Sequence, residues 1–138
     1  MRIMAIDYGD AHTGIAISDP TGFLAGFTTV INAYRPEVVA EQVAALAKEH
    51  GVEELVLGHP INMDGTRGPR SEKAQAMKAL LEETASLPVV LWDERRTTID
   101  AHQILMGSGK NAKKRKKVVD AVAASLILEG YLTYKKNH

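Results

Sequence analysis

The chain has 138 residues, of which 45% are hydrophobic and 25% are charged, and its formal net charge is zero, values typical of a globular protein with its own core. Cysteine is absent, which excludes a disulfide framework and a thiolate metal site. The apolar runs are too short for a signal peptide or a membrane span, so the sequence predicts a cytoplasmic protein that makes no contact with a membrane.

The first part of the chain predicts three strands that follow one another closely. Each contains β-branched or aromatic residues and is bounded by glycine or proline. The predicted strands comprise residues 2–7, 14–19 and 26–31. Their connections are too short for a parallel crossover, which needs about a dozen residues or more. We therefore predict a meander of three antiparallel strands.

The remainder of the chain alternates between helical and extended periods. Pro36 suits the first turn of a helix, and Gly51 suits its end. Further elements are predicted at 54–58 (strand), 71–85 (helix), 88–92 (strand), 97–107 (helix) and from about 118 to about 134 (helix). The core face predicted for the last helix comprises Val119, Val122, Ala123, Leu126 and Ile127.

These elements predict an α/β fold in which residues 1–138 form a single domain. The expected sheet is mixed and five-stranded, with three antiparallel meander strands and two parallel strands. Helices should cover both faces, because the connections between parallel strands are helical.

Three acidic residues occupy positions where predicted elements begin or end. Asp7 ends the first strand, Glu94 follows the last strand, and Asp120 opens the final helix. Ligands gather beyond the carboxyl ends of parallel strands, so we expect Asp7 and Glu94 to lie side by side, within reach of Asp120. Taken singly, the three have structural alternatives as a turn residue, a surface ion pair and a helix cap. Their common edge favours a shared site.

The three carboxylates suggest a metal site. Mg²⁺ and Mn²⁺ prefer oxygen ligands, and two-metal sites hold their ions roughly 3.5–4 Å apart. We interpret Asp7, Glu94 and Asp120 as catalytic residues that bind two such ions, with Asp7 as the bridging ligand. A site of this kind suits the hydrolysis of phosphodiesters without a protein nucleophile.

Basic residues near these acids are candidates for contacts to nucleic-acid phosphates. They lie in the aperiodic segment 59–70, which we interpret as a flap, directly after Glu94, and in a block before Asp120. The candidates are Arg67, Arg70, Arg95, Arg96, Lys113, Lys114, Arg115, Lys116 and Lys117. The alternative for the block is a solvated, mobile loop.

Four motifs resemble those of the YqgF/RuvX family and cover nearly the whole chain. They are DYGDAHTGIAISD at 7–19, GHPINMDG at 58–65, DERRTT at 93–98 and KKxxDAxAAxLILExYL at 116–132. The resemblance implies a ribonuclease H-like fold, and it maps the family's aspartate–glutamate–aspartate set onto Asp7, Glu94 and Asp120. In one departure, Ala11 and His12 stand where the family usually has a lysine and an arginine.

The leading hypothesis is a metal-dependent endonuclease acting on structured nucleic acid. The resemblance implies processing of the 5′ end of pre-16S rRNA in ribosome biogenesis, with the precursor of the small ribosomal subunit as a partner. The alternative is cleavage of four-way DNA (Holliday) junctions in recombination and repair, which needs a symmetric dimer. The sequence is compatible with a monomer or a homodimer.

Two further classes stay open at this point. One is a non-catalytic RNA-binding or ribosome-associated module that uses the basic block and the flap. The other is an ATP-binding domain of the actin and sugar-kinase type, whose phosphate turn also contains D-x-G, although 138 residues are few for such an enzyme.

Overall fold

Five strands and three helices are formed by the residues that the computed structural model describes, 2–19, 25–59, 68–93 and 112–137. The strands are β1 (Arg2–Asp7), β2 (His12–Ser18), β3 (Ala25–Asn32), β4 (Val52–His59) and β5 (Val89–Asp93). The helices are α1 (Pro36–His50), α2 (Pro69–Ala85) and α3 (Ala112–Asn137). The predicted helix 97–107 lies outside these residues. None of the three helices is long and apolar enough to cross a membrane.

The strands form one mixed sheet in the order β3-β2-β1-β4-β5. β2 pairs antiparallel with both β1 and β3, whereas β4 pairs parallel with both β1 and β5. The predicted combination of a three-stranded meander and two parallel strands is therefore confirmed. Strands β1, β3, β4 and β5 all end at the same edge of the sheet, which we call the carboxyl edge.

The expectation that Asp7 and Glu94 lie side by side requires the strands that precede them to be neighbours, and this is wrong, because β4 lies between β1 and β5. Neighbouring strands are about 4.8 Å apart, so β1 and β5 are separated by roughly 9–10 Å. The sequence identifies which strands are parallel but not the order in which they pair. Helix α1 leads from β3 to β4, which pairs with β1 on the side away from β2. Helix α2 then leads to β5, which pairs with β4 on the side away from β1.

Each face of the sheet carries its own hydrophobic core. Successive side chains of β1 point to opposite faces, so Met4 and Ile6 pack with α1 and α2, whereas Ile3 and Ala5 pack with α3. We call these the α1/α2 face and the α3 face. Helices on both faces were predicted, and this prediction is confirmed.

The ends of α1 confirm the signals in the sequence. Pro36 is in the first turn, where its missing N–H costs no hydrogen bond, and Gly51 terminates the helix in the left-handed conformation with a φ of 68°. On α2, the buried face comprises Ser71, Ala74, Met77 and Leu81.

Helix α3 differs from its prediction in length and in the face that is buried. It begins at Ala112 rather than near 118, because lysine and arginine are good helix formers that carry the helix beyond the apolar pattern. Of the predicted core face, Ile127 is buried, Val122, Ala123 and Leu126 are partly exposed, and the side chain of Val119 lies outside the description. The residues that α3 buries are Ala124, Ile127, Leu128, Tyr131 and Leu132.

Candidate active site

Asp7 is the last residue of β1 and lies half-buried at the carboxyl edge. It continues the alternation of Ile3 and Ala5, which places it on the α3 face. The end of a strand at this edge is where sheets of this kind bind their ligands. Asp7 therefore has the position that its predicted role requires.

Glycines occupy the positions level with Asp7 on both neighbouring strands. Gly14 is its cross-strand partner in β2. On the other side, Gly58 of β4 follows Leu57, which is the partner of Ile6. Because glycine has no side chain, neither strand places a side chain level with the carboxylate.

The turn from β1 to β2 depends on Gly9. A Cβ atom at this position would lie 2.4 Å from the carbonyl oxygen of His12, much closer than real Cβ contacts. The turn is also fixed to the end of β3, since the Ala33 N–H donates to the Ala11 carbonyl at 3.1 Å. The backbone that follows Asp7 is therefore tightly held.

A second contact joins the same turn to α2. Lys73 Nζ donates to Asp10 Oδ1 at 2.8 Å, and both side chains are largely exposed. This hydrogen bond, together with the charges, lowers the pKa of Asp10 and raises that of Lys73. Burial, followed by the negative charge of Asp10, raises the pKa of the neighbouring Tyr8.

His12, the first residue of β2, pairs across the strands with Asn32 at the end of β3. Its Nδ1 lies 2.6 Å from Asn32 Oδ1. His12 shares the α3 face with Gly14 and Ala16, since these three positions alternate along β2. The imidazole is therefore at the same edge and on the same face of the sheet as Asp7.

Asp120 does not cap α3, because the helix begins at Ala112, eight residues earlier. The cap interpretation is therefore wrong. Asp120 precedes the buried Ala124 by one turn, and positions 120, 124, 127 and 131 follow one another with the spacing of a single helix face. The side chain of Asp120 lies outside the description, but its backbone position is on the face that packs on the sheet.

The structure describes only some of the remaining predicted site residues. Glu94, which follows the last residue of β5, lies outside the described residues, as do Arg67, Arg95 and Arg96. Arg70 is exposed in the first turn of α2, and His59 ends β4, so both ends of the predicted flap belong to regular elements. Among Lys113, Lys114, Arg115, Lys116 and Lys117 only the backbone is described. It is helical, so the loop interpretation of the block is wrong.

Sequence reasoning missed two contacts that hold the start of α2. One is the ion pair of Asp10 and Lys73. The other is buried on the α1/α2 face, where His59 Nε2 lies 2.6 Å from Ser71 Oγ. Their partners are 63 and 12 residues apart in the chain, so no local pattern could have indicated them.

Asp7 is the predicted metal ligand whose side chain the structure describes. Within them, no three histidine, cysteine, aspartate or glutamate side chains come together in a way that could hold an ion. A carboxylate that is half-buried and flanked by glycine positions fits a hydrated, oxygen-preferring divalent cation. The chemistry of Asp7 is therefore compatible with one ligand position for Mg²⁺ or Mn²⁺.

The strand order, with an acid at the end of β1, defines this molecule as a protein of the ribonuclease H-like fold. A solved structure of T. thermophilus RuvC in complex with a Holliday junction substrate is similar to it with a TM-score of 0.64 and 13% sequence identity. The match covers 99% of this chain and 96% of that one. At this identity the similarity shows the shared fold.

Within that class, the chain belongs to the RuvX family. The family model described as "RuvX: Holliday junction resolvase" matches residues 1–134. A relative from Halothermothrix orenii is 45% identical over 135 residues, which are 98% of this chain and 96% of the relative. A Bacillus subtilis relative is 43% identical over 134 residues, which are 96% and 97% of the two chains. Both are named "Putative pre-16S rRNA nuclease". The resemblance of the four motifs is thus confirmed.

Proposed function

We propose that this protein is a divalent-metal-dependent endonuclease that matures the 5′ end of pre-16S rRNA during ribosome biogenesis. The observation that supports this substrate is the near full-length similarity, at 45% and 43% identity, to relatives named "Putative pre-16S rRNA nuclease". In this proposal residues 1–138 are one catalytic domain that acts in the cytoplasm. Its partner is structured nucleic acid within the precursor of the small ribosomal subunit.

The catalytic part of the proposal assigns Asp7, Glu94 and Asp120 as ligands of two Mg²⁺ or Mn²⁺ ions, with Asp7 shared between them. Divalent ions held in this way lower the pKa of water and neutralise the charge that develops on a phosphodiester. The protein contributes carboxylates in fixed positions and no nucleophile of its own. The half-buried position of Asp7 between glycines supports this role.

The dimensions of α3 support the participation of Asp120. The Tyr131 hydroxyl donates to the carboxylate of Glu54, whose strand partner is Ile3, so this part of α3 is fixed near the start of β1. Residue 131 lies eleven positions after residue 120, a distance of about 16 Å along a helix. Asp7 lies four positions after Ile3, a distance of about 13 Å along β1. A helix running along the sheet from Tyr131 is thus long enough to bring residue 120 level with Asp7.

The basic residues are assigned to the phosphate backbone on either side of the scissile bond. Arginine suits this contact because its planar group donates two parallel hydrogen bonds to a phosphate. The proposal assigns Arg67, Arg70, Arg95, Arg96, Lys113, Lys114, Arg115, Lys116 and Lys117 to this task. The helical backbone of 113–117 supports it, because side chains three or four apart then lie on one side and can meet one strand.

The test is a cleavage assay of an RNA that carries the 5′ precursor segment of 16S rRNA, with Mg²⁺, with Mn²⁺ and with neither. Asp7→Asn should reduce cleavage by at least about a thousandfold, because the carboxylate charge contributes several kcal/mol to ion binding and transition-state stabilisation. The matched control is Asp10→Asn in the same turn, which removes an exposed ion pair and should retain the activity within a few-fold. Unreduced cleavage by Asp7→Asn would refute the carboxylate mechanism.

Holliday junction resolution is the second candidate, because the family model carries that description. Two symmetric cuts require two copies of the site in a C2 dimer. The same assay should therefore include a four-way DNA junction, with light scattering at the assay concentration. Paired cuts by a dimer, without cleavage of the RNA, would favour resolution. Binding that persists without metal, with no cleavage of either substrate, would indicate a non-catalytic RNA-binding module.

A further inference from the structure

His12 and Asn32 form an exposed polar pair beside Asp7 that the nuclease mechanism leaves without a role. They are direct cross-strand partners, His12 at the start of β2 and Asn32 at the end of β3, and both lie at the carboxyl edge of the sheet. The 2.6 Å separation of Nδ1 and Oδ1 is that of a strong hydrogen bond. Because an amide oxygen only accepts, Nδ1 carries the hydrogen in this contact.

The pair is close to Asp7 by register. Asp7 is opposite Gly14, and His12 lies two residues from Gly14 on the same strand and face. Diagonal neighbours of this kind in an antiparallel pair are about 7–8 Å apart. Gly14 places no side chain between them. A phosphate held at Asp7 would therefore lie near the imidazole.

The hydrogen bond to Asn32 determines which atom of the ring can meet a substrate. With Nδ1 donating to Asn32, the remaining polar atom of the ring is Nε2, at the far side from Asn32. In the imidazolium form both nitrogens carry hydrogens, so Nε2 can donate to an oxygen while Nδ1 stays bound. A phosphate oxygen accepts hydrogen bonds of this kind.

We propose that His12 is a substrate-binding residue that donates from Nε2 to a phosphate oxygen of the nucleic-acid strand held at Asp7, and that Asn32 is the positioning residue that orients the ring. This inference rests on the proposed nuclease function and deepens it with one phosphate contact. A purely structural pair at an exposed edge would contribute little to stability and nothing to binding. Measuring both the affinity for nucleic acid and the stability therefore distinguishes a binding role of the pair from a purely structural one.

The central variant is His12→Asn. The amide nitrogen of asparagine lies near the position of Nδ1 and can still donate to Asn32, but no atom remains at the position of Nε2. We expect the Kd for the 5′ precursor RNA, measured by fluorescence anisotropy with Ca²⁺ in place of Mg²⁺ at fixed salt, to rise about tenfold.

His50→Asn is the matched control. His50 ends α1 at the opposite edge of the sheet, where its ring packs on Phe27 at 4.7 Å. The same chemical change there should leave the Kd unaltered. His12→Gln, whose amide nitrogen reaches the position of Nε2, should recover most of the affinity lost in His12→Asn.

Asn32→Ala tests the positioning role. It should weaken binding about threefold in the wild-type background and have no effect in the His12→Asn background, where no ring is left to orient. A structural role for Asn32 would instead give the same change in both backgrounds.

The outcomes distinguish this inference from the proposed function. Cleavage by the wild type together with an unaltered Kd for His12→Asn overturns the His12 contact and leaves the nuclease intact. No cleavage by the wild type, with a tenfold weaker His12→Asn complex, overturns the nuclease and leaves the contact. If His12→Asn melts more than about 5 °C lower, His12→Arg becomes the test: wild-type affinity supports the contact, and weakened affinity overturns it.

Discussion

Tyr131 fixes α3 to the sheet through one buried hydroxyl, and its removal has a calculable cost. The residue is 7% exposed, and its hydroxyl donates to Glu54, whose side chain is 13% exposed. Lys135 Nζ reaches the other oxygen of the same carboxylate at 3.3 Å. Tyr131→Phe removes the hydroxyl and keeps the ring, including its edge-to-face contact with Trp92 at a centroid distance of 5.8 Å.

The magnitude follows from the charged acceptor. Hydrogen bonds to charged groups contribute about 1.5–3 kcal/mol, and a buried carboxylate that loses its donor retains part of its desolvation cost. Lys135 remains near Glu54 and reduces this loss. We therefore expect Tyr131→Phe to lower the free energy of unfolding by about 1–2 kcal/mol and the melting temperature by roughly 3–8 °C.

The assay is chemical and thermal unfolding of Tyr131→Phe, Glu54→Gln and the double variant. A double-mutant cycle should give a coupling energy of about 1 kcal/mol. Tyr34→Phe is the control, because Tyr34 is 81% exposed and should change stability by less than about 0.3 kcal/mol. Cleavage per folded molecule at 25 °C should be unchanged by Tyr131→Phe. Equal stabilities of Tyr131→Phe and Tyr34→Phe would refute the reasoning.

Two further predictions concern the turn beside Asp7 and the alkaline limit of stability. Gly9→Ala should lower the free energy of unfolding by about 1–3 kcal/mol and reduce cleavage, because its methyl group would lie 2.4 Å from a backbone atom. Gly26→Ala is the control: its methyl group would lie 3.4 Å from the nearest atom, so its effects in melting and cleavage assays should be smaller. Burial, and then the hydrogen bond to Glu54, raises the pKa of Tyr131 above its ordinary 10.0. The unfolded chain therefore loses this proton first as pH rises. The free energy of unfolding should fall above about pH 10 by up to about 1.4 kcal/mol per pH unit for this group, and less steeply in Tyr131→Phe. It is measured by urea unfolding at a series of pH values. The same dependence on pH in both proteins would contradict the assignment.

The sequence predicted the elements of the sheet because each strand carries its own local signal. Residues 2–7 match β1 in full, and the other strands differ by one or two residues at their ends. The start of α3 was missed for a physical reason: hydrophobic periodicity reports burial, and the basic residues 113–117 propagate a helix without an apolar stripe. Its face was misjudged by one position, because the run from Val122 to Leu128 is apolar on most sides.

The position of Asp7 was predictable, but its surroundings were not. A carboxylate that ends a buried parallel strand lies at the ligand-binding edge in any sheet of this class. The insertion of β4 between β1 and β5, and the contacts of Asn32 with His12 and of Lys73 with Asp10, depend on pairing across the fold. Such pairing has no local sequence signal, because partners are chosen by the packing of whole elements.

The packing beneath Asp7 explains how a carboxylate on a strand and one on a helix can share an ion. Ala5 and Ala16 are paired across β1 and β2 and belong to one buried cluster with Ala124 of α3. Alanine has no side-chain torsion to vary and allows helix and sheet to approach closely, so this layer fixes their separation. Asp7 lies two residues beyond Ala5, and position 120 lies one turn before Ala124. The separation of the two backbones at Asp7 and position 120 is therefore set by this alanine layer, as the proposed metal site would require.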